Sequence, residues 1–249
     1  MNAQPTSPYQ FTLVLPLYNE GGGLAIQLGY IYRTLCNGAF RFQMILIDDC
    51  STDETTHIAH AFAQGKDSVF VVRHERNQGR GATVMDGFMR ATSDVVGFMD
   101  VDCEVSPVYL LEFVSDLLEG TTDIITGHRI YKFSVSRMPR TIASIGYRMI
   151  VRALLDIKFK DTETGYKLFR RTSFLRIAPY LKEKGWFWDT EVMAIANLAK
   201  LRVEERPVLF IRNVAKRSSV HLVSDTLTYF KSLMRFRVRR KSLVKELAL

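Results

Sequence analysis

The sequence predicts an α/β fold with a mostly parallel central sheet and helices on both faces. Three observations predict it. Through the first 130 residues, short apolar runs alternate with segments of helical period. Three of those runs end abruptly in polar, acid-bearing turns. The chain has 249 residues, 47% hydrophobic and 24% charged, enough to bury the core such a sheet needs. The same composition excludes a disordered chain, a collagen-like repeat and a disulfide mini-protein.

Residues 11–16 are an apolar run ended by Pro16, a buried strand. Leu24, Leu28, Ile31 and Leu35 then recur on one helix face. Residues 43–47 are a second buried strand, ending in Asp48-Asp49. Ser51 and Glu54 have capping-box spacing and predict the start of a helix carrying Ile58 and Phe62. Residues 68–72 read as a third strand. The glycine-containing loop 77–81 follows, then a helix with Val84, Phe88 and Ala91. Residues 94–99 are a fourth strand, ending in Asp100-Val101-Asp102. Pro107 suits the first turn of a helix bearing Leu110, Leu111, Val114, Leu117 and Leu118. Residues 123–126 are a further strand. Beyond them the pattern predicts helices over 139–156, 173–181 and 190–201, a strand over 203–211 and an amphipathic helix over 222–247. This divides the chain into a loose tail (1–9), one α/β domain (10–215) and a basic amphipathic C-terminal segment (216–249).

The formal net charge is +8, and its placement is informative. Residues 212–249 hold ten of the 34 Lys and Arg but two of the 26 acids, so the first 211 residues are balanced. A neutral body with a basic end suits a polyanionic partner such as a membrane surface. Cys36, Cys50 and Cys103 are too few and too scattered for a disulfide framework or zinc cluster, which predicts reduced thiols in a cytosolic setting. No apolar run approaches the roughly 20 residues of a membrane helix. The first eight residues lack the pattern of a signal peptide.

In an open parallel sheet, ligands bind beyond the carboxyl ends of the strands. Tyr18-Asn19-Glu20, Asp48-Asp49 and the stretch from Asp100 to Glu104 should therefore share one rim. A strand-end carboxylate such as Asp48 can accept an N–H from a nucleobase. Asp100, Asp102 and Glu104 are hard oxygen donors suited to Mg²⁺ or Mn²⁺, with phosphates and water completing the shell. Any one of these acids is as well explained by simple solvation; three acid-bearing turns on one rim point to a binding site. Rival motifs are weak. Gly79-Arg80-Gly81 lacks the third glycine of a dinucleotide fingerprint, and no phosphate-loop G-K-S/T or G-x-S-x-G elbow occurs. His57 and His60 are helix neighbours without an evident third ligand.

The stretches 13–20, 47–53, 77–81 and 99–102 resemble the family 2 glycosyltransferases. In the second half, 127–129, 161–170, 186–191 and 207–212 resemble the dolichol-phosphate mannosyltransferase or polyprenyl-phosphate glycosyltransferase group. The likeness covers roughly residues 10–240. It implies a GT-A fold, a nucleotide-sugar donor and a divalent metal, Mg²⁺ or Mn²⁺, at the D-x-D of Asp100 and Asp102. Carried over residue by residue, it implies a donor site of Pro16, Tyr18, Glu20, Asp48, Asp49, Asp100, Val101, Asp102, Arg129, Arg212 and Lys216. Metal ligands would be Asp100, Asp102 and Glu104, and Asp102 and Arg129 would carry catalysis. There are departures: Cys50 stands where the group has Gly or Asn, Glu104 where it has glutamine, and Ser218-Ser219 where a serine-lysine pair is usual.

The resemblance further implies a single displacement with inversion, moving a hexose to a polyprenyl or dolichyl phosphate. Mannose from GDP-mannose is the expected donor. A lipid phosphate is already anionic and needs no base, whereas a sugar hydroxyl does. Asp189 and Glu191 are candidate bases, with Asp189 also a candidate helix cap. Val223, Leu227, Phe230, Met234 and Val238 form an apolar stripe, with Lys231, Arg235 and Arg239 stacked beside it. That pattern suits an interfacial helix on anionic lipid, or equally a helix packed on the body. The sequence thus predicts a peripheral enzyme on the cytosolic face of a membrane, and leaves open a membrane-anchoring subunit. A sugar-hydroxyl acceptor and a non-catalytic membrane- or RNA-binding module are the rivals. Nucleic acid is not expected as a partner, because the stacking signatures of an RNA-binding motif are missing.

Overall fold

The computed structural model describes residues 7–131, 154–212 and 222–247. Among them lie β1 (Phe11–Leu17), α1 (Leu24–Cys36), β2 (Phe42–Asp48), α2 (Thr55–Ala63), β3 (Val69–Arg73), α3 (Arg80–Arg90), β4 (Val95–Met99), α4 (Tyr109–Glu119) and β5 (Ile124–Tyr131). There follow β6 (Tyr166–Arg170), α5 (Arg171–Ile177), a 3₁₀ turn (Ala178–Tyr180), α6 (Trp188–Leu198), β7 (Val203–Phe210) and α7 (Leu222–Leu247). The predicted helix over 139–156 lies outside the described residues except at its last three positions.

The seven strands form one sheet in the order β3-β2-β1-β4-β6-β5-β7. All neighbours pair in parallel except β6, which runs antiparallel to both β4 and β5. The predicted α/β class with a mostly parallel sheet is therefore the observed one. The strand order reverses at β1, between β2 and β4, so the ends of these three strands meet at a topological switch point.

Two apolar layers cover the sheet. One packs α1 and α4 on one face through Leu24, Leu28, Ile31, Phe113 and Leu117. The other packs α3, α5, α6 and α7 through Val84, Phe88, Phe174, Trp188, Val192, Leu233 and Phe236. Near-continuous burial of β1, β2 and β4 explains why these strands read as apolar runs rather than alternating ones.

Several expectations need correction. The Ser51–Glu54 capping box does not form: α2 starts at Thr55 without a side-chain cap. Asp53 Oδ1 instead accepts the Thr55 N–H at 2.9 Å. Strand β6 was not anticipated, because Lys167 interrupts its apolar pattern while its side chain lies fully buried. The strand predicted over 123–126 runs on to Tyr131, held by β7 along its whole length. On α7, Leu233, Phe236 and Leu243 are the buried apolar positions among the described residues. Each such burial contributes about 1.5–3 kcal/mol. Leu227, Phe230 and Val238, which the predicted stripe contains, are exposed by 58%, 50% and 77%.

Candidate active site

At the switch point, the turns after β1, β2 and β4 each contain one non-glycine residue with positive φ: Asn19 (54°), Cys50 (63°) and Cys103 (55°). Such residues are uncommon, and their clustering on a single rim marks backbone held for a purpose. The first two turns are tied together. Asn19 N–H donates to Ser51 Oγ (2.9 Å), Thr52 N–H to Asn19 Oδ1 (2.9 Å) and Glu20 N–H to Thr55 Oγ1 (2.7 Å). Asp53 Oδ2 also accepts the Gly21 N–H at 2.9 Å. Burial pushes the Asp53 carboxyl up, but its bonds from Thr55 and Gly21 outweigh this and hold it below the usual carboxylate range.

The two adjacent aspartates turn inward. Asp48 is fully buried. Its carboxylate accepts from Ser51 N–H (3.0 Å), from the Ser51 and Thr56 hydroxyls, and pairs with Arg73 Nε (3.4 Å). These bonds make Asp48 the organiser of the turn. Asp49 lies 2.8 Å from His74 Nδ1 and accepts the N–H groups of Gln78 (2.8 Å) and Gly79 (2.9 Å). It fastens the loop that leads into α3. Of the other predicted donor residues, Pro16 and Glu20 are half-buried, Tyr18 is exposed and Val101 is buried.

Arg80, the first residue of α3, occupies the centre of the site. Its guanidinium donates to Asp100 Oδ1 from Nη2 (2.6 Å) and Nε (3.2 Å), and to Asp189 Oδ2 from Nη1. The Phe98 and Trp186 rings lie over it, each 5.3 Å from Cζ. Burial alone would lower its pKa, but Asp100 and Asp189 more than reverse that and keep it charged. A Cβ on Gly165 would collide with the Asp100 carboxylate and with Arg80 Nη2, so this pair requires glycine there. Lys167 Nζ, on β6, donates to Asp189 Oδ1 at 2.9 Å and to the Thr164 carbonyl. Burial pushes this ammonium below the usual lysine range, and Asp189 offsets part of the push.

Asp189 is therefore neither a helix cap nor an open base. It is buried in the first turn of α6 and neutralised by two cations. Glu191 is fully buried as well. It accepts N–H groups from Lys182 (2.9 Å) and Glu183 (2.8 Å) and pairs with Arg239 of α7. Burial raises its carboxyl despite those bonds.

Beside Asp100 lies a recess of about 30 Å³, lined by Asp102, Glu104, Arg129, Thr164, Tyr166 and Phe210 among others. Arg129, on β5, forms a two-point pair with Asp161: Nε to Oδ2 at 2.7 Å and Nη2 to Oδ1 at 2.9 Å. Burial would raise Asp161, but Arg129 holds its carboxyl below the usual carboxylate range. Asp102 Oδ1 accepts the Glu104 N–H at 3.2 Å, which turns the acidic loop back on itself. Burial, with Asp102 adding to it, pushes the intervening Cys103 thiol up to about 12.

The structure thus brings Asp100, Asp102, Glu104 and Arg129 to one recess, in agreement with their predicted grouping. Among the described residues, however, no three His, Cys, Asp or Glu side chains converge as a self-sufficient metal cage. Arg212 is exposed just after β7, two residues beyond the recess-lining Phe210. Lys216 lies outside the described residues. The sequence reading missed Arg80, Asp161 and Lys167. Their signal was present in the 77–81 and 161–170 stretches, where charged residues interrupt otherwise small or apolar neighbours.

The model of Glycosyl transferase family 2 matches residues 12–177, which include all three rim turns and Arg129. The chain belongs to glycosyl transferase family 2. Among the relatives of this family 2 enzyme is Glycosyltransferase AglD of Haloferax volcanii, 30% identical over 80% of this chain and 32% of that protein. The dolichyl-phosphate beta-glucosyltransferase of Saccharomyces cerevisiae is 27% identical over 91% of this chain and 74% of that protein. The dolichyl-phosphate beta-glucosyltransferase ALG5A of Trichomonas vaginalis is 27% identical over 82% and 66%. The chain therefore spans about a third of the first of these relatives and two thirds to three quarters of the others. The fold matches glucosyl-3-phosphoglycerate synthase from Mycobacterium tuberculosis, solved with Mn²⁺, UDP and glucosyl-3-phosphoglycerate. Its TM-score is 0.69 and its identity 17%, with 92% of this chain and 80% of that one covered. The glycosyltransferase therefore has the GT-A fold. No helix among the described residues is long and apolar enough to cross a membrane.

Proposed function

We propose that the chain transfers glucose from a nucleotide-diphosphate glucose to a polyprenyl or dolichyl phosphate, with inversion at the anomeric carbon. Glucose replaces the expected mannose because two relatives are named as dolichyl-phosphate beta-glucosyltransferases. One observation carries the choice of acceptor. Asp189 and Glu191, the candidate bases named from the sequence, are both buried in ion pairs. A hydroxyl acceptor would need such a base, whereas a phosphate monoester is already anionic.

The recess suits the donor's diphosphate. Asp102, Glu104 and Arg129 all line it, and two carboxylates beside an open space fit a divalent cation whose other positions are diphosphate oxygens and water. These residues would hold Mg²⁺ or Mn²⁺, with Asp100 behind them on Arg80. The bound ion would neutralise charge on the leaving diphosphate. Arg129 faces the same charge, and because Asp161 has already fixed its fork, little reorganisation is needed as the charge grows. The acceptor's phosphate oxygen bonds to the anomeric carbon as the bond to the diphosphate oxygen breaks, and no proton has to move.

In this reading α7 meets the membrane. Its outward face carries Leu227, Phe230 and Val238, followed by exposed Arg237, Lys241 and Lys245, with Lys231 alongside. Apolar groups beside cations suit an anionic lipid surface. The test incubates the protein with Mn²⁺, phytanyl phosphate and either UDP-glucose or GDP-mannose. Lipid-dependent consumption of UDP-glucose is expected. Transfer to a sugar hydroxyl with none to lipid phosphate would overturn the proposal.

A further inference from the structure

A second cavity, of about 330 Å³, opens between the 182–187 turn and the first half of α7. Its walls are chemically divided. Trp186, 46% exposed, Phe187 and Tyr229 supply apolar and aromatic surface, while Lys182, Lys184 and Arg235 supply positive charge. Glu183 also lines it, but its carboxylate is engaged by Ser232 Oγ (2.8 Å) and Arg235 (3.5 Å). The cavity is thus cationic and apolar together, which selects an amphiphilic anion over a sugar or a free nucleotide.

Its position is as telling as its lining. The 182–187 turn lies directly against the donor rim. The Lys184 carbonyl accepts the Ala82 N–H at 3.1 Å, and a Cβ on Gly79 (φ 95°) would sit 2.7 Å from that oxygen. Trp186 lies over Arg80, which also holds Asp100. One aromatic ring and one guanidinium therefore separate the cavity from the candidate metal-site carboxylates. On the α7 side the cavity is lined by Thr228 and Tyr229, which the exposed Leu227 and Phe230 flank in the helix.

We propose that this groove binds the isoprenoid phosphate acceptor, conducting its proximal chain from the α7 face past Trp186 to the donor rim. The inference rests on the polyprenyl-phosphate reading above and adds the location of the acceptor site. Lys182 and Lys184 attract the phosphate as it enters, and Trp186, Phe187 and Tyr229 contact the first isoprene units.

The chain's two tryptophans are Trp186, at the groove, and buried Trp188, so fluorescence reports occupancy. Farnesyl phosphate below its micelle concentration should shift the emission saturably without donor or metal. Farnesol and inorganic phosphate should each bind at least tenfold more weakly. A Cβ on Gly185, which lines the groove, meets nothing within 4 Å, so Gly185→Leu is chosen to add bulk to the groove wall. It and the pair Lys182→Glu/Lys184→Glu should each weaken farnesyl phosphate binding about tenfold. They should raise the acceptor KM similarly, with donor KM within twofold. If wild type glucosylates lipid phosphate but neither variant changes acceptor KM or the titration, the groove is not the acceptor site and the functional proposal stands. If wild type does not use lipid phosphate, the functional proposal falls and the titration alone decides. Variant-sensitive binding then still supports an isoprenoid-phosphate groove, and failure to bind overturns it.

Discussion

Lys167 and Asp189 face each other at 2.9 Å with both side chains shut away from solvent. One comes from the antiparallel strand β6, the other from the first turn of α6, and Arg80 joins them from α3. A buried ammonium and carboxylate attract strongly but also lose hydration, so the pair's value lies less in net stability than in fixing where Arg80 and Asp100 can be. Removing one member is a different matter. Lys167→Met should destabilise the fold by about 3 kcal/mol, because it leaves Asp189 with a single buried cation. Urea unfolding would check this, and a loss below about 1 kcal/mol would show that Arg80 alone satisfies Asp189.

Asp102→Ala should abolish transfer and remove the thermal stabilisation given by nucleotide plus Mn²⁺, leaving the melting temperature of the unliganded protein nearly unchanged. Asp102 is a partly exposed rim residue that contributes nothing to core packing. Full wild-type activity in excess chelator would sink the metal assignment.

Arg129→Lys should lower kcat by at least tenfold. A lysine cannot make the two-point contact with Asp161, so its charge would not be held facing the recess. Wild-type kinetics in this variant would reduce Arg129 to a structural partner of Asp161.

The same pair has a pH consequence. Asp161 is held below the ordinary aspartate value, about 3.9, so between the two values the unfolded chain binds more protons than the folded one. Its contribution is therefore fully present above about pH 4 and is lost as pH falls through the folded value. Asp161→Asn should flatten the rise of stability with pH just below about pH 4, followed by urea midpoints. Asp53 and Asp123 are depressed too and should keep part of the slope. An unchanged slope in Asp161→Asn would contradict the assignment.

On α7, two sets of cations should behave oppositely. Lys231, Arg237 and Lys241 are exposed, and reversing all three to Glu should weaken partitioning onto anionic vesicles on the order of a hundredfold, at about 1 kcal/mol per residue. The fold and donor hydrolysis should be unaffected. Arg239 instead reaches the buried Glu191 and the Tyr180 carbonyl (3.3 Å), so Arg239→Glu should unfold the C-terminal region rather than release the protein from lipid. Equal vesicle binding by the triple variant and wild type would assign membrane contact to another surface.

The alternation of apolar runs and helical periods, readable without coordinates, was enough to give the α/β class, the parallel first half and the shared rim of Asp48, Asp100 and Asp102. These are local properties: a buried strand must be apolar, and parallel strands must place their carboxyl ends together. The grouping of Asp100, Asp102 and Glu104 with Arg129 came through motif resemblance, not periodicity. What required the tertiary structure was the direction and partnership of each polar side chain. The sequence shows Asp48 and Asp100 alike as acids at strand ends, yet one is enclosed by Ser51, Thr56 and Arg73 and the other opens beside the recess. Strand β6 was hidden because Lys167 looks like a surface residue until Asp189, 22 positions away, is seen to neutralise it. Which face of α7 turns inward was left open for a similar reason. A helix with apolar groups on two sides has no intrinsic inside, and only packing of Leu233, Phe236 and Leu243 against the body decides which side meets solvent. Burial of charge depends on partners brought from distant segments, so that part of the site is a property of the folded chain alone.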